Sequence, residues 1–485
     1  MAVPAGARAP QLAIEPATTT AALTAAAEEA SRHAGPRQRM DAAAERRDAG
    51  RELRRRAARG SHARWEPPAD RPDPVDLLTA ANQGRMPELV PIRVGRMAAS
   101  PFAFLRGSAA QMAIDLAGSP MTGLTGWICG DAHLSNFGLF ASPEQDLVCD
   151  LNDFDESIVG PWEWDVKRMS ASIVVAGRER GFADADCREA VGAAIGSYRR
   201  RLSEMASSKL IELHRARWHE GDLANALSRR SKQALRIETG KATTRTNDRV
   251  LARLTVEREN GGWHFDESPP LLVRLGGEHT DRVLGALERY IATLRSDLRR
   301  LVRGYGLRDA ALTVVGVGSV GTRGMVAMMT GNGDSDALFL QIKEAPGSQL
   351  RPQLASQPRR HEGRRVVEAQ RAMQGLSDPF LGWTAIEGRD YYVRELKDMN
   401  GSVDVNELQR PRELRDCAVL VGGTLGMAHA RCFDAATLTA YLGSGPRFSA
   451  AVAEFAVRYA DQTERDHGAL VDAIKHGRVE AELGV

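Results

Sequence analysis

Two short acidic segments carry the residue types that phosphoryl transfer requires. They are Cys129-Gly130-Asp131-Ala132-His133-Leu134-Ser135-Asn136-Phe137 and Asp150-Leu151-Asn152-Asp153-Phe154-Asp155-Glu156. The reaction needs a carboxylate to orient an attacking hydroxyl, and oxygen ligands to hold Mg²⁺ on the nucleotide phosphates. Asp131 is the candidate base. Asn136 and Asp153 offer the hard oxygen donors that Mg²⁺ prefers, with Asp155 placed to assist. Asp and Asn also favour turns for local hydrogen-bonding reasons, so a second constellation has to tip the balance.

That second set lies in 312–324, where Gly316, Gly318 and Gly321 stand in GxGxxG spacing after a strand. Without a Cβ, glycines let backbone N–H groups, that of Ser319 among them, approach phosphate oxygens. A dinucleotide-binding loop would be followed directly by a helix. Here the strand-like run 325–330 follows, then a third strand, 337–343, ending at Lys343. Strand, glycine loop, strand and lysine fit a loop covering the phosphates of ATP, with Lys343 reaching the α/β-phosphates. The alternative for Lys343 is an exposed strand end. A helix expected over 359–374 carries Glu362 and Glu368. Either would hold Lys343 extended, and Glu368, beside Val366 and Val367, is preferred. Strands at 382–387 and 390–396 follow, placing backbone groups of Glu395 and Leu396 to meet an adenine edge.

The elements around these residues read coarsely. Residues 1–70 are rich in Ala, Arg and Pro, and are expected to form a poorly ordered arm with one helix near 42–58. A helix from about 166 to 177 opens behind Asp165, which either caps it or braces the Asp131 loop through backbone N–H groups. Arg106 has two readings, a phosphate contact or a structural salt bridge. Asn260-Gly261 marks a hairpin turn. Helices are expected over 183–240, 277–304 and much of 405–480.

Composition narrows the function classes. The 485 residues are 43% hydrophobic and 26% charged, with a net charge of +2. Such a chain buries a large core, and its charge gives no case for nucleic acid as a partner. Five cysteines without CxxC spacing argue against zinc and against a disulfide framework. No run approaches membrane-spanning length, so a cytoplasmic protein with no membrane partner is expected. The oligomeric state stays open.

Gly130-Asp131-Ala132-His133-Leu134-Ser135-Asn136 and Asn152-Asp153-Phe154-Asp155 resemble motifs of the protein-kinase-like superfamily, most closely its aminoglycoside and choline phosphotransferase branch. In that branch they are the catalytic loop and the exit of the metal-binding strand. Cys129 stands where the branch usually has histidine. Asp165-Val166 is similar to the later pair that supports the catalytic loop there. The usual order is glycine loop, lysine strand, helix, hinge, helices, catalytic loop and metal aspartate. This chain begins with the last two, which resembles a circular permutation. The 420–429 helix is similar to the one that normally precedes the catalytic loop. From about Asp73 onward the chain also resembles a bacterial family known as domain of unknown function 2252. The resemblance rests on R-M-x-x-S-P-F-x-F-x-R-G at 96–107, G-D-x-H-x-x-N-F-G, and R-V-V-E-x-Q-R at 365–371. That family brings no substrate with it.

Together these imply an α/β (α+β), two-lobed, permuted kinase-like fold with a large helical lobe and a small antiparallel-sheet lobe. The expected division is an arm at 1–70, catalytic-lobe helices and loops at 73–304, a nucleotide lobe at 305–397 and completing helices at 398–485. The implied activity is ATP- and Mg²⁺-dependent phosphoryl transfer to a small-molecule hydroxyl. AMP transfer on the same fold, or a nucleotide-binding regulatory pseudokinase, are the alternatives.

Overall fold

In the computed structural model, residues 43–141, 147–218, 227–228, 230–231, 247–257, 262–269, 272–313, 320–354, 360–396, 401–402 and 405–484 are described. Helix starts follow local chemistry. After α1 (Ala43–Arg56), helix α2 (Pro74–Ala81) has Pro74 in its first turn, and Asp73 accepts from the N–H groups of Val75 and Asp76. α3 (Val90–Ala98) precedes α4 (Pro101–Gly107), where the Ser100 hydroxyl accepts from Ala103 N–H, and then α5 (Ala109–Ala117). Short strands β1 (Thr125–Ile128), β2 (Phe137–Ala141), β3 (Leu147–Leu151) and β4 (Ile158–Pro161) carry the acidic segments between them. α6 (Trp162–Glu179), α7 (Asp184–Ser207) and α8 (Leu210–Arg215) complete the N-terminal half of a helical body.

The second unit is a sheet. α9 (Asn247–Leu254), β5 (Thr255–Glu257), β6 (Trp263–Phe265), β7 (Leu272–Arg274), α10 (Glu278–Thr293) and α11 (Ser296–Val302) lead into β8 (Gly306–Thr313). β9 (Gly324–Gly331), β10 (Gly333–Glu344), α12 (Glu362–Met373), β11 (Gly382–Ile386) and β12 (Arg389–Glu395) follow. The antiparallel order is β11-β12-β10-β9-β8-β7. Alternation sorts the side chains: Ala327, Leu340 and Ile342 face Leu287 and Tyr290 of α10, whereas Val326, Met328 and Phe339 face Val250 and Leu251 of α9. Strands covered on both faces read as continuous apolar runs, as these do. Because α9 and α10 build this core, the sheet unit recruits chain from residue 247. That corrects a boundary at 305.

The chain then returns to the helical body through β13 (Gly401–Ser402), α13 (Pro411–Cys432), α14 (Ala435–Leu442) and α15 (Arg447–Lys475). α13 lies along α7, and α15 along α6, so both ends of the chain share one core. α1 packs on α14, with Arg54 Nε donating to the Tyr441 carbonyl at 3.0 Å. His62 and Trp65 are buried. The expectation of a poorly ordered arm reaching residue 70 is thereby corrected: an apolar surface on α14 and α15 gives 43–66 something to pack on. Residues 1–42 lie outside the described residues. The expected hairpin is flanked by a real pair, Glu257 opposite Trp263, although Asn260-Gly261 themselves are outside the described residues.

The class is α+β. All five cysteines are free thiols. No helix among the described residues is long and apolar enough to cross a membrane.

Candidate functional site

The Asp131 loop is held from below by Asp165. Its two carboxylate oxygens accept from Cys129 N–H and Gly130 N–H, each at 2.8 Å. His429 Nε2 lies 3.2 Å from the same carboxylate, and Tyr198 hydroxyl meets His429 Nδ1 at 2.8 Å. Of the two readings of Asp165, bracing is therefore the one observed. Gly130 sits at φ 79°, and a Cβ there would fall 2.3 Å from the Glu156 carbonyl oxygen. Only glycine suits that conformation and that approach. One turn after Asp165, Arg168 is buried, and its Nε donates to Asp131 Oδ1 at 2.8 Å. Asn136 Nδ2 donates to the Asp131 carbonyl at 2.8 Å, which turns its amide oxygen the other way. His133 is buried edge-on to Phe102. Burial pulls its imidazole down to about 4 against the pull of Asp131, with Arg168 and Arg106 adding to the fall.

The second acidic segment meets the sheet. Lys343 Nζ lies 2.6 Å from Asp155 Oδ2 and 4.0 Å from Asp153 Oδ2. Tyr392, its cross-strand neighbour, donates to Asp155 Oδ1 at 3.0 Å, and the ammonium stands 5.7 Å from the Tyr392 ring centroid. Burial opposes ionisation of Asp153, but Lys343 and the Asp155 N–H outweigh it, so this carboxyl falls below its usual range. Asp155 moves the other way, raised by burial and by the charge of Asp153. Lys343 is raised well above an ordinary lysine, because the two carboxylates outweigh its burial. Arg365 of α12 latches the segment, donating to the Asp155 carbonyl at 2.8 Å and to the Ser157 carbonyl.

Asp131, Asn136, Asp153, Asp155 and Glu156 line one cavity together with Arg85, Arg93, Arg106 and Gln349. Its volume is about 40 Å³, room for on the order of three waters. Burial pushes Glu156 up to about 7. Among the described residues no group of three or more His, Cys, Asp or Glu side chains is arranged to hold a metal. The donors suited to one are Asp153 and the Asn136 amide, a set that Mg²⁺ completes with phosphate oxygens and water. Asp155 is less suited, since both its oxygens are engaged by Lys343 and Tyr392.

Three expectations are corrected. Glu368 does not reach Lys343; it pairs with Arg364 at 2.7 Å, its i,i+4 neighbour, on the outer face of α12. Glu362 is taken by Arg351 and Arg365, and Asp155 holds the lysine instead. The N–H groups of Glu395 and Leu396 are spent internally, on Asp378 and on the Phe339 carbonyl, so they offer no donors to an adenine edge. Gly316, Gly318 and Ser319 lie outside the described residues. Gly321 is described, and its carbonyl accepts from Met86 N–H at 2.8 Å.

Sequence reasoning missed Arg85, Arg93, Arg168, Tyr392 and Arg365 as neighbours of the site. A signal existed for two of them. Arg93 interrupts the apolar run Ile92-Arg93-Val94, and Arg168 follows Asp165 at i+3 in an otherwise buried helix. An arginine at a core position asks for a partner.

Residues 85–473 match the family described as "Uncharacterized protein conserved in bacteria (DUF2252)", and the chain belongs to it. No curated protein and no solved structure matches the chain.

Proposed function

We propose that this member of the bacterial family is an ATP- and Mg²⁺-dependent phosphotransferase of circularly permuted, two-lobed, kinase-like fold, acting on the hydroxyl of a small molecule. One observation carries the reading: Asp153 and Lys343, far apart in sequence, lie 4.0 Å apart, and Asp153 lines one cavity with Asp131 and Asn136. Phosphoryl transfer draws on this combination of a lysine for the phosphates, a carboxylate and an amide for the metal, and a second carboxylate for the hydroxyl. The lysine is on the third strand of the run β8, β9, β10, and α12 follows it before β11 and β12. That is the order the resemblance implies for a nucleotide lobe. Permutation is supported by the end of α13. A Cβ on Gly126, at the start of β1, would fall 2.5 Å from the Cys432 carbonyl oxygen. The helix that would precede the catalytic loop therefore abuts the strand that leads to it.

In this reading Arg168 fixes one oxygen of Asp131, leaving the other to orient the acceptor hydroxyl and take its proton. Asp153 and Asn136 would hold Mg²⁺, which supplies charge neutralisation at the phosphates. Lys343, kept cationic by Asp155, would pair with the nucleotide phosphates. A cavity this small is no site for a nucleoside, so most of the nucleotide would lie outside it, on the Lys343 side.

The test is incubation of the full chain and a bacterial extract with γ- or α-labelled ATP. Transfer of γ-label to a small molecule is expected, abolished in Asp131→Asn. Transfer of α-label would mean nucleotidyl transfer, and neither would mean a cleft used without turnover. ATP·Mg²⁺ should also raise the melting temperature of wild type and not of Asp153→Ala, since a ligand of the native state stabilises it.

A further inference from the structure

We infer that Arg85, Arg93 and Arg106 form a receptor for an oxyanion, a phosphate or carboxylate carried by the acceptor itself. The inference deepens the phosphotransferase reading by giving the acceptor a chemical class.

Several arginines inside the described part of the molecule are met by carboxylates, among them Arg365, whose Nε lies 2.6 Å from Glu362. Arg71 has Asp115 at 2.7 Å and Asp466 at 2.6 Å, and Arg168 has Asp131. Arg93 is the departure. It is 1% exposed, and among the described residues no carboxylate lies within ion-pair distance of it or of Arg85. Its Nη1 donates to Asn82 Oδ1 at 2.8 Å and its Nη2 to the Gly107 carbonyl at 2.9 Å, while its buried Nε has no partner. Burying an uncompensated charge is expensive, and arginine does not escape by shedding its proton at neutral pH.

The placement gives the charge a purpose. Arg93 on α3, Arg106 on α4 and Arg85 just before α3 all line the cavity that holds Asp131. Arg85 Nη1 is tied to the Val320 carbonyl at 2.6 Å. Neutral acceptors hold both guanidiniums in place with no direct ion pair among the described residues, although Glu156 faces them from the same cavity. Fixed donors of this kind are how an anion site is preorganised. Burial and the charge of Arg85 pull Arg93 down to about 9, and Glu156, across the same cavity, opposes that fall without cancelling it. An acceptor anchored here by its anion would lie beside Asp131, where its hydroxyl is needed.

Titration calorimetry with inorganic phosphate tests this on the full chain, alone and saturated with a non-hydrolysable ATP analogue and Mg²⁺. Phosphate is expected to bind in both states. Arg93→Met and Arg85→Gln should each weaken it at least tenfold and leave analogue affinity within about twofold. Unchanged phosphate binding in both variants would overturn the receptor. Competition between phosphate and the analogue would overturn the acceptor assignment, because the arginines would then serve the nucleotide's own phosphates. If phosphate binds in an arginine-dependent way but the analogue never binds, the receptor is supported and the phosphotransferase reading alone falls. Circular dichroism of the two variants excludes misfolding as the cause of a loss.

Discussion

Lys343 and Arg93 are both buried cations beside one cavity, and the fold treats them in opposite ways. Lys343 is met by Asp155 at 2.6 Å and Asp153 at 4.0 Å, with Tyr392 bonded to the same carboxylate. Arg93 is met only by neutral oxygens, from Asn82 and Gly107. A compensated cation is part of the structure. One without an ion-pair partner keeps a charge that the proposed anion would meet. Lys343 is thus paired within the fold, while Arg93 has no carboxylate at ion-pair distance among the described residues.

The contrast is sharpest in stability. Lys343→Met should cost about 1.5–3 kcal/mol in urea unfolding, because it leaves the half-buried Asp155 and the partly exposed Asp153 without the cation they share. A loss below about 1 kcal/mol would show that the three groups are not charged together in the folded state. His133 gives the next effect, since it is buried with its Nε2 3.6 Å from Asp131 Oδ2, and burial, helped by Arg168 and Arg106, outweighs that carboxylate and holds the imidazole neutral. Its folded value of about 4 lies below the unfolded 6.5. As pH falls through that window the unfolded state takes up a proton that the folded state refuses, so stability drops. The difference between wild type and His133→Gln should therefore shrink by up to ~3 kcal/mol between pH 7.5 and 4. A pH-independent difference would contradict the assignment. The smallest effect belongs to Arg93→Met, with stability in the absence of anions expected within about 1 kcal/mol of wild type. Relief from burying a lone guanidinium offsets the two hydrogen bonds lost. A loss as large as that of Lys343→Met would erase the contrast.

Much of the site was legible before folding. Asp131, Asn136 and Asp153, singled out by residue type and motif, line one cavity, and Lys343 lies 4.0 Å from Asp153, although their roles are a proposal. Strand and helix limits were also readable, as with α12 at Glu362–Met373 against an expected 359–374. Glu368 was not readable, because a carboxylate on a helix has near neighbours that compete for it. Arg364, four residues away, is nearer than any strand lysine. The Glu395 and Leu396 N–H groups failed for a similar reason: Asp378 and Phe339 reach them first.

By itself the sequence determined the periodicities that make two-faced strands and buried helices, and the acidic and glycine motifs. These are local properties, fixed by side-chain direction along the chain. Tertiary structure alone decided which carboxylate answers Lys343 and which arginine goes unanswered. Partnering of buried charges depends on which distant segments arrive in the same few ångströms, and no residue's own neighbours in sequence encode that.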